Sequence, residues 1–332
     1  MKILVLTDHK KHSEQNSVYD LIREMQRQQP SSLVEVASRG IPGNAAFFDS
    51  FSTDVLHVRK VSEEFLFSQK DVFFSKTTTS RKIDFYDRIL LRLPRPVPDE
   101  FFPFLKRIFD ENKIINRPSG IERTSNKLFL LNYPDLCPPM THIKSIEDIE
   151  RFAAEFPIVL KPLESYSGMG LVRIDGPNVW LENQKTNRNT FFRQLEKEPF
   201  EYLGMKFLQG VHLGDKRILV CGDVVLGATL RLPPKDSWIC NISHGGSAIA
   251  ATLDEREQKM VERLIPDMKN HGVLIYGMDT LSDEDGTRYL SEINTLSPGG
   301  ISPAQRSSNT PVVQSAARGI WDYILKTKND GN

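Results

Sequence analysis

The chain has 332 residues, with 43 basic against 43 acidic side chains and three cysteines, Cys137, Cys221 and Cys240, that show no CxxC spacing. That length leaves room for about two domains, while the charge balance excludes a global field for nucleic acid or an anionic membrane. The odd cysteine count argues against a disulfide framework or a cysteine zinc site. No apolar run approaches a membrane span, and the opening MKILVLTD lacks a cleavage pattern, so the expectation is a soluble cytoplasmic protein.

Residues 2–7 read as a buried parallel strand, residues 17–28 as a helix from the spacing of Val18, Leu21, Ile22 and Met25, and residues 33–37 as a second strand. Short strands follow at 55–61 and 88–93, then a helix at 100–112. This alternation predicts an open α/β domain with a parallel sheet. No GxGxxG follows the first strand, so the dinucleotide fingerprint is absent. The turn-rich Asn116-Arg117-Pro118-Ser119-Gly120 marks the exit from that domain, and Thr124 or Ser125 then caps a helix carrying Lys127, Leu128 and Leu131. A helix at 145–155 precedes a strand at 158–161, a glycine-containing loop at 164–170 and a strand at 171–174. Strands at 202–208, 217–220, 224–232 and 238–242, helices at 255–271 and 310–326, and a hairpin between those helices give the second half an antiparallel α+β character. There is no internal repeat.

That hairpin carries the most chemistry. Asp285-Gly286 between two alternating runs is a strong hairpin signal. As a two-residue loop it sets Glu284 against Thr287 and, further out, Asp279 against Glu292, with Asn294 on the same face and Gly277 across from Asn294. Like charges placed opposite each other destabilise a sheet. Two carboxylates and an amide oxygen on one face therefore read either as a Mg²⁺ site or as an ordinary acidic outer face. Elsewhere, Gly168 and Gly170 in Glu164-Ser165-Tyr166-Ser167-Gly168-Met169-Gly170 let backbone approach phosphate oxygens or simply close a hairpin. Lys161, after Ile158-Val159-Leu160, either meets an anion or reaches out to water. Arg217 and Arg231 lie on facing strands and suit phosphate or a cross-strand acid. Asn241 to Gly246 and Ser297-Pro298-Gly299-Gly300-Ile301 are turns, the second able to offer amides to a carboxylate. His9 and His12 have no third ligand nearby and read as loop, and the pairs Phe47-Phe48, Phe73-Phe74 and Phe101-Phe102 as core.

In order and spacing, SNKLFLL (125–131), VLKPLESYSGMGLVRI (159–174), GDKRILV (214–220), LRLPP (230–234), NISHGG (241–246), Met278-Asp279 and SEINTLSPGGI (291–301) resemble the ATP-grasp superfamily, within it the bacterial-type glutathione synthetases. The resemblance runs from about Ile114 to Gln305. It implies a pre-ATP-grasp α/β domain at 1–117, a subdomain with the glycine-rich loop at 118–204 and a metal-bearing subdomain at 205–328, the last two gripping the nucleotide. By the same resemblance, Lys127 and Lys161 touch phosphates, Ser167, Gly168 and Gly170 close over ATP, and Lys206, Phe207 and Leu208 read adenine. Asp279, Glu292 and Asn294 match the ligands of magnesium, two ions with Mn²⁺ as substitute, and Arg217 and Arg231 lie near the transferred phosphate. Arg92, Asn241, Gly245, Gly246, Gly299 and Gly300 match substrate positions.

The implied reaction phosphorylates a carboxylate with ATP and lets an amine displace the phosphate, with γ-glutamylcysteine and glycine as leading substrates. Another peptide or amino-acid substrate, or an ATP-sensing module without turnover, are the alternatives. The resemblance implies small-molecule partners and leaves a dimer or tetramer open. Met205 stands where the family has an acid or glutamine, His244 replaces a small residue beside the glycine pair, and Leu91 to Pro96 matches the N-terminal substrate motif only in part, with Arg92 the best candidate.

Overall fold

The computed structural model describes residues 1–164, 168–181, 184–234, 238–239 and 247–329. Three sheets organise them. The first holds β1 (Lys2–Thr7), β2 (Leu33–Ser38), β3 (Val55–Lys60), β4 (Thr79–Lys82), β5 (Arg88–Arg92) and β6 (Ile114–Ile115) in the order β4-β3-β2-β1-β5-β6. It is mixed rather than parallel. β1, β2, β5 and β6 run parallel, but β3 returns antiparallel to β2 and β4 antiparallel to β3. The physical reason lies in the connections. Helix α1 (Val18–Gln28) separates β1 from β2, whereas β2 to β3 is bridged only by a short 3-10 turn and the four-residue α2 (Ala45–Phe48). The buried strands read as continuous apolar runs.

The second sheet, order β11-β10-β9-β8-β12-β7, contains β7 (Met140–Ile143), β8 (Ile158–Pro162), β9 (Val172–Asp175), β10 (Asn178–Leu181), β11 (Gln184–Asn187) and β12 (Tyr202–Lys206). The third, order β15-β14-β13-β16-β17, contains β13 (Asp215–Cys221), β14 (Val224–Leu232), β15 (Ser247–Ala251), β16 (Ile275–Ser282) and β17 (Arg288–Asn294). Both are antiparallel. The expected strand at 238–242 lies partly outside the described residues, and Trp238 and Ile239 belong to no strand.

Between residues 100 and 132 three stretches differ from expectation. Helix α3 (Phe101–Ile108) ends before residue 112. The stretch expected as a turn is instead α4 (Pro118–Ser125). Pro118 fits because proline at a helix start gives up an amide that has no partner there anyway. Gly120 fits because a Cβ there would lie 2.0 Å from the His271 carbonyl oxygen. The expected helix with Lys127 is a 3-10 segment, Lys127–Asn132, capped by the Asn126 side chain rather than Thr124 or Ser125. After α5 (Ile146–Ala153), α6 (Arg188–Leu195) and α7 (Glu255–Asn270), the turn at 297–301 opens into α8 (Ile301–Ser308), whose Pro303 sits in the tolerant first turn.

The last helix, α9 (Val312–Asn329), packs on α1. Its Ile320, Trp321 and Ile324 share one apolar cluster with Val18, Ile22 and Met25 of α1 and with Leu219 and Cys221 of β13. The Trp321 indole donates to the Met25 carbonyl at 2.9 Å. The sheets are also tied through polar side chains. Asn116, fully buried after β6, donates to the Ile275 and Thr295 carbonyls at 2.6 Å each, and its oxygen accepts from the Leu274 and Ile275 amides at 2.8 and 3.0 Å. Asn116→Ala strands those four buried backbone groups. The expected loss is about 3 kcal/mol or more, read as a lower urea midpoint; an unchanged midpoint would refute this tie.

Candidate active site

A cleft of about 640 Å³ opens between the second and third sheets, closed on one side by the loop after β5. On the second-sheet side stand Lys161, at the end of β8, and the chain leaving β12. Lys161 is buried. Its ammonium donates to both the carbonyl and the hydroxyl of Ser291, at 2.9 Å each, so it neither reaches water nor lacks a partner. Burial lowers its pKa, and burial also lowers the nearby Lys127 to about 8, with Glu292 pulling the other way. The Lys206 and Phe207 amides are bonded to the Pro139 and Pro157 carbonyls at 2.8 Å each. The Leu208 amide has no backbone acceptor among the described residues.

On the third-sheet side, alternation aims Asp215 and Arg217 of β13, Arg231 of β14, Asp279 of β16 and Glu292 and Asn294 of β17 at one cavity. Asp279 does face Glu292, and Gly277 faces Asn294. The turn, however, is wider than two residues: Ser282 pairs with Arg288, which leaves residues 283–287 in the loop. That shift would put Asp279 opposite Ser291. A bulge restores the pairing by leaving Ser291 as the extra residue, and it is this Ser291 that receives Lys161.

The acidic and basic groups are interleaved. Asp215 pairs across the strands with Arg231, both contacts at 2.6 Å. Arg217 faces Asp279 and grips both its oxygens, the second at 2.7 Å. Arg231 reaches Asp279 as well, at 2.9 Å. Burial opposes the Asp279 charge, but the two arginines outweigh it and hold the carboxyl down to about 2. Among the described residues Asp215 has Arg231, which it shares with Asp279, as its one ion-pair partner, and burial pushes it up to about 6.

Twelve of the positions singled out in the sequence line this cleft: Lys127, Lys161, Gly168, Lys206, Phe207, Leu208, Arg217, Arg231, Asp279, Glu292, Asn294 and Gly299. Gly168 and Gly170 have φ of +75° and +70°, a region that side chains disfavour, but Gly170 does not line the cleft, nor does Gly300. Arg92 is buried away from it and donates to the Pro298 carbonyl at 3.0 Å. Ser167, Asn241, His244, Gly245 and Gly246 lie outside the described residues. Sequence reasoning gave no role to Lys11, Arg95, Asp215 or Ser291, all of which take part. Asp215 was within reach, since it lies two residues before Arg217 in a strand. The donor set at Asp279, Glu292 and Asn294 is hard oxygen, which suits Mg²⁺; no cluster of three or more His, Cys, Asp or Glu occurs among the described residues. His9 and His12 are separate: the His9 ring bonds Ser38 and stacks on Phe74, and the His12 ring lies between Thr7 and Tyr19.

Residues 126–309 match the prokaryotic glutathione synthetase ATP-grasp domain. The chain is 30% identical over 243 residues to a glutathione synthetase of Brucella melitensis, covering 72% of this chain and 73% of that one. It is 31% identical to one of Rhodopseudomonas palustris over the same shares. Among solved structures it is similar in fold to the D-cycloserine synthetase DcsG (TM-score 0.65, 13% identity, 98% and 100% of the two chains). The D-alanine–D-alanine ligase of Bacillus anthracis, solved with ATP, is also similar (TM-score 0.58, 12% identity, 100% of both chains).

Arg231→Met leaves two buried carboxylates to share Arg217, at a cost of about 3–5 kcal/mol near neutral pH. The cost depends on pH. Asp215 has a folded pKa above its ordinary 3.8, so its neutral form favours the fold at acid pH, and that support is lost as pH rises through the folded value. Urea denaturation is expected to show a larger loss at pH 8 than at pH 5; equal losses would contradict the shared-arginine arrangement.

Proposed function

This chain belongs to the prokaryotic glutathione synthetases, ATP-dependent C–N ligases with an ATP-grasp domain, and we propose that it joins γ-glutamylcysteine to glycine in the cytoplasm. The observation that carries the reading is one cleft with Lys127 and Lys161 on one side and Asp279, Arg217 and Arg231 on the other. Lysines and arginines suit phosphate oxygens, and phosphoryl transfer needs positioning and charge neutralisation more than a nucleophilic side chain.

Lys127 and Lys161 hold the nucleotide phosphates under the loop that contains Ser167, Gly168 and Gly170. Leu208 supplies the amide that reads the adenine edge, while Lys206 and Phe207 contribute carbonyl and wall, and Met205 adds no polar contact. Asp279, Glu292 and Asn294 hold two divalent cations, with Mn²⁺ able to replace Mg²⁺; when bound, these neutralise triphosphate charge. Arg231, fixed by Asp215, and Arg217 stabilise charge on the phosphoryl group as it passes to the substrate carboxylate. Gly299 and the start of α8 at Gly300 offer backbone to the substrate, with Asn241, Gly245 and Gly246 as acceptor-side groups, and Arg92 steadies this wall through Pro298. A closed loop keeps water from the acylphosphate before the amine attacks.

A second substrate reading rests on Arg95. It is half-buried, lines the cleft near Lys127 and has no ion-pair partner among the described residues; Lys11 lines the same side. That surplus charge favours an acid donor with a carboxylate beyond the two of γ-glutamylcysteine.

A coupled ADP-release assay separates these. ADP is expected with γ-glutamylcysteine only when glycine is present. Release with another peptide acid and none with γ-glutamylcysteine would overturn the substrate assignment. A second expectation concerns pH. With Lys127 lowered to about 8, its charged form, which binds phosphate, is lost above that value. ADP affinity is expected to fall roughly tenfold from pH 7.5 to 9 by calorimetry, and less steeply in Lys127→Arg. A flat wild-type profile would remove Lys127 from the phosphate site.

A further inference from the structure

Asp279 and Glu292 face one another, yet they are treated differently. Both oxygens of Asp279 are occupied: Arg217 takes the two together, and Arg231 and Asn294 add contacts at 2.9 and 3.3 Å. Glu292 has no ion pair among the described residues. Of the two carboxylates in the metal-ligand set, Glu292 is therefore open and Asp279 is covered by guanidinium.

We propose that Arg217 is the resident counter-ion of the divalent site, which a cation displaces from Asp279, and that Asp215 keeps Arg231 from following it. This rests on the metal assignment above. The two arginines differ in their anchors. Arg231 is held at 2.6 Å by both Asp215 oxygens, so it stays when Asp279 changes partner. Arg217 has Asp279 as its only ion-pair partner among the described residues. Its side chain crosses the face of Gly277, where a Cβ would lie 3.0 Å from the Arg217 Cδ; glycine leaves it a path.

Charge gives the displacement a direction. Asp215 and Asp279 balance Arg217 and Arg231, and side chains 12% exposed or less at Asp215, Arg231 and Asp279 limit help from water. A divalent cation alone adds positive charge that the unpaired Glu292 offsets only in part, which is costly in this buried group. A cation arriving with a triphosphate brings its own anion, and the released guanidinium finds that anion as its new partner. Metal binding is thereby made conditional on nucleotide.

The test is Mn²⁺ binding, read as Mn²⁺ retained by the protein in equilibrium dialysis, without ATP and with ATP against an ATP-only control, on variants that retain a cooperative melt. Without nucleotide the wild type is expected to bind Mn²⁺ weakly, and Arg217→Ala at least about tenfold more tightly. Asp215→Asn is expected to do the opposite, since Arg231 then leans wholly on Asp279. A merely structural role would move both variants in the same direction. If Asp279→Asn leaves Mn²⁺ binding with ATP intact, the metal assignment itself fails. If Asp279→Asn abolishes it while Arg217→Ala gains nothing without nucleotide, only the counter-ion role fails. Should Arg217→Ala not fold, a weaker nucleotide-free affinity in Asp215→Asn supports the proposal, and an equal or stronger one overturns it.

Discussion

The site depends on how four ionised side chains share one face of a sheet. Asp215, Arg217, Arg231 and Asp279 come from three adjacent strands, and each acid lies directly across from an arginine. Removing any one strands the others in a poorly hydrated place. The opposite face of the same strands carries a second polar layer. Lys216 and Arg288 both bond the fully buried Glu257 of α7, and Thr280 donates to it at 2.6 Å. The two layers follow from the period-2 alternation of strands. The rear layer is fully paired and clamps α7 to the sheet, so the front layer has a stiff base on which small rearrangements of an arginine have meaning.

Strand β17 and the residues after it join the rest of the molecule to that base. Ser291 receives Lys161 from the second sheet. Thr295 receives the Asn116 amide from the end of the first sheet and the Thr124 hydroxyl from α4. Pro298 receives Arg92 from β5. Each link lands within a few residues of Glu292 or Asn294. The geometry of the acidic hairpin is thus set by all three sheets, and a disturbance in the first can reach the cleft through a buried amide.

Much of this was legible in the chain. The hairpin signal, the facing acids and the small Gly277 needed only alternation and turn chemistry. The same reasoning mistook the loop length, and the facing pair survived only because the bulge at Ser291 cancels the one-residue shift. Bulges have no reliable residue signature, so that compensation was invisible. The start of helix α4 was read as a turn because Pro118 and Gly120 are turn-formers by composition; the His271 carbonyl that crowds Gly120 is a tertiary contact that local composition does not encode. The mixed first sheet was missed because strand direction depends on connection path, which local propensity does not encode. Arg92 drew notice over Arg95 as a motif position, but strand β5 buries the first, and only the loop after it opens on the cleft.

The placement of α9 has a consequence for biosynthesis. Its Trp321 and Ile324 complete the apolar cluster begun by Val18 and Ile22, some three hundred positions earlier. Contacts so distant along the chain cannot form until late, and long-range closure slows folding. A ribosome must therefore emit residues past 324 before the opening sheet is covered on that side. Until then the nascent polypeptide shows an unprotected oily surface, which makes it a natural client for chaperones that hold chains during translation.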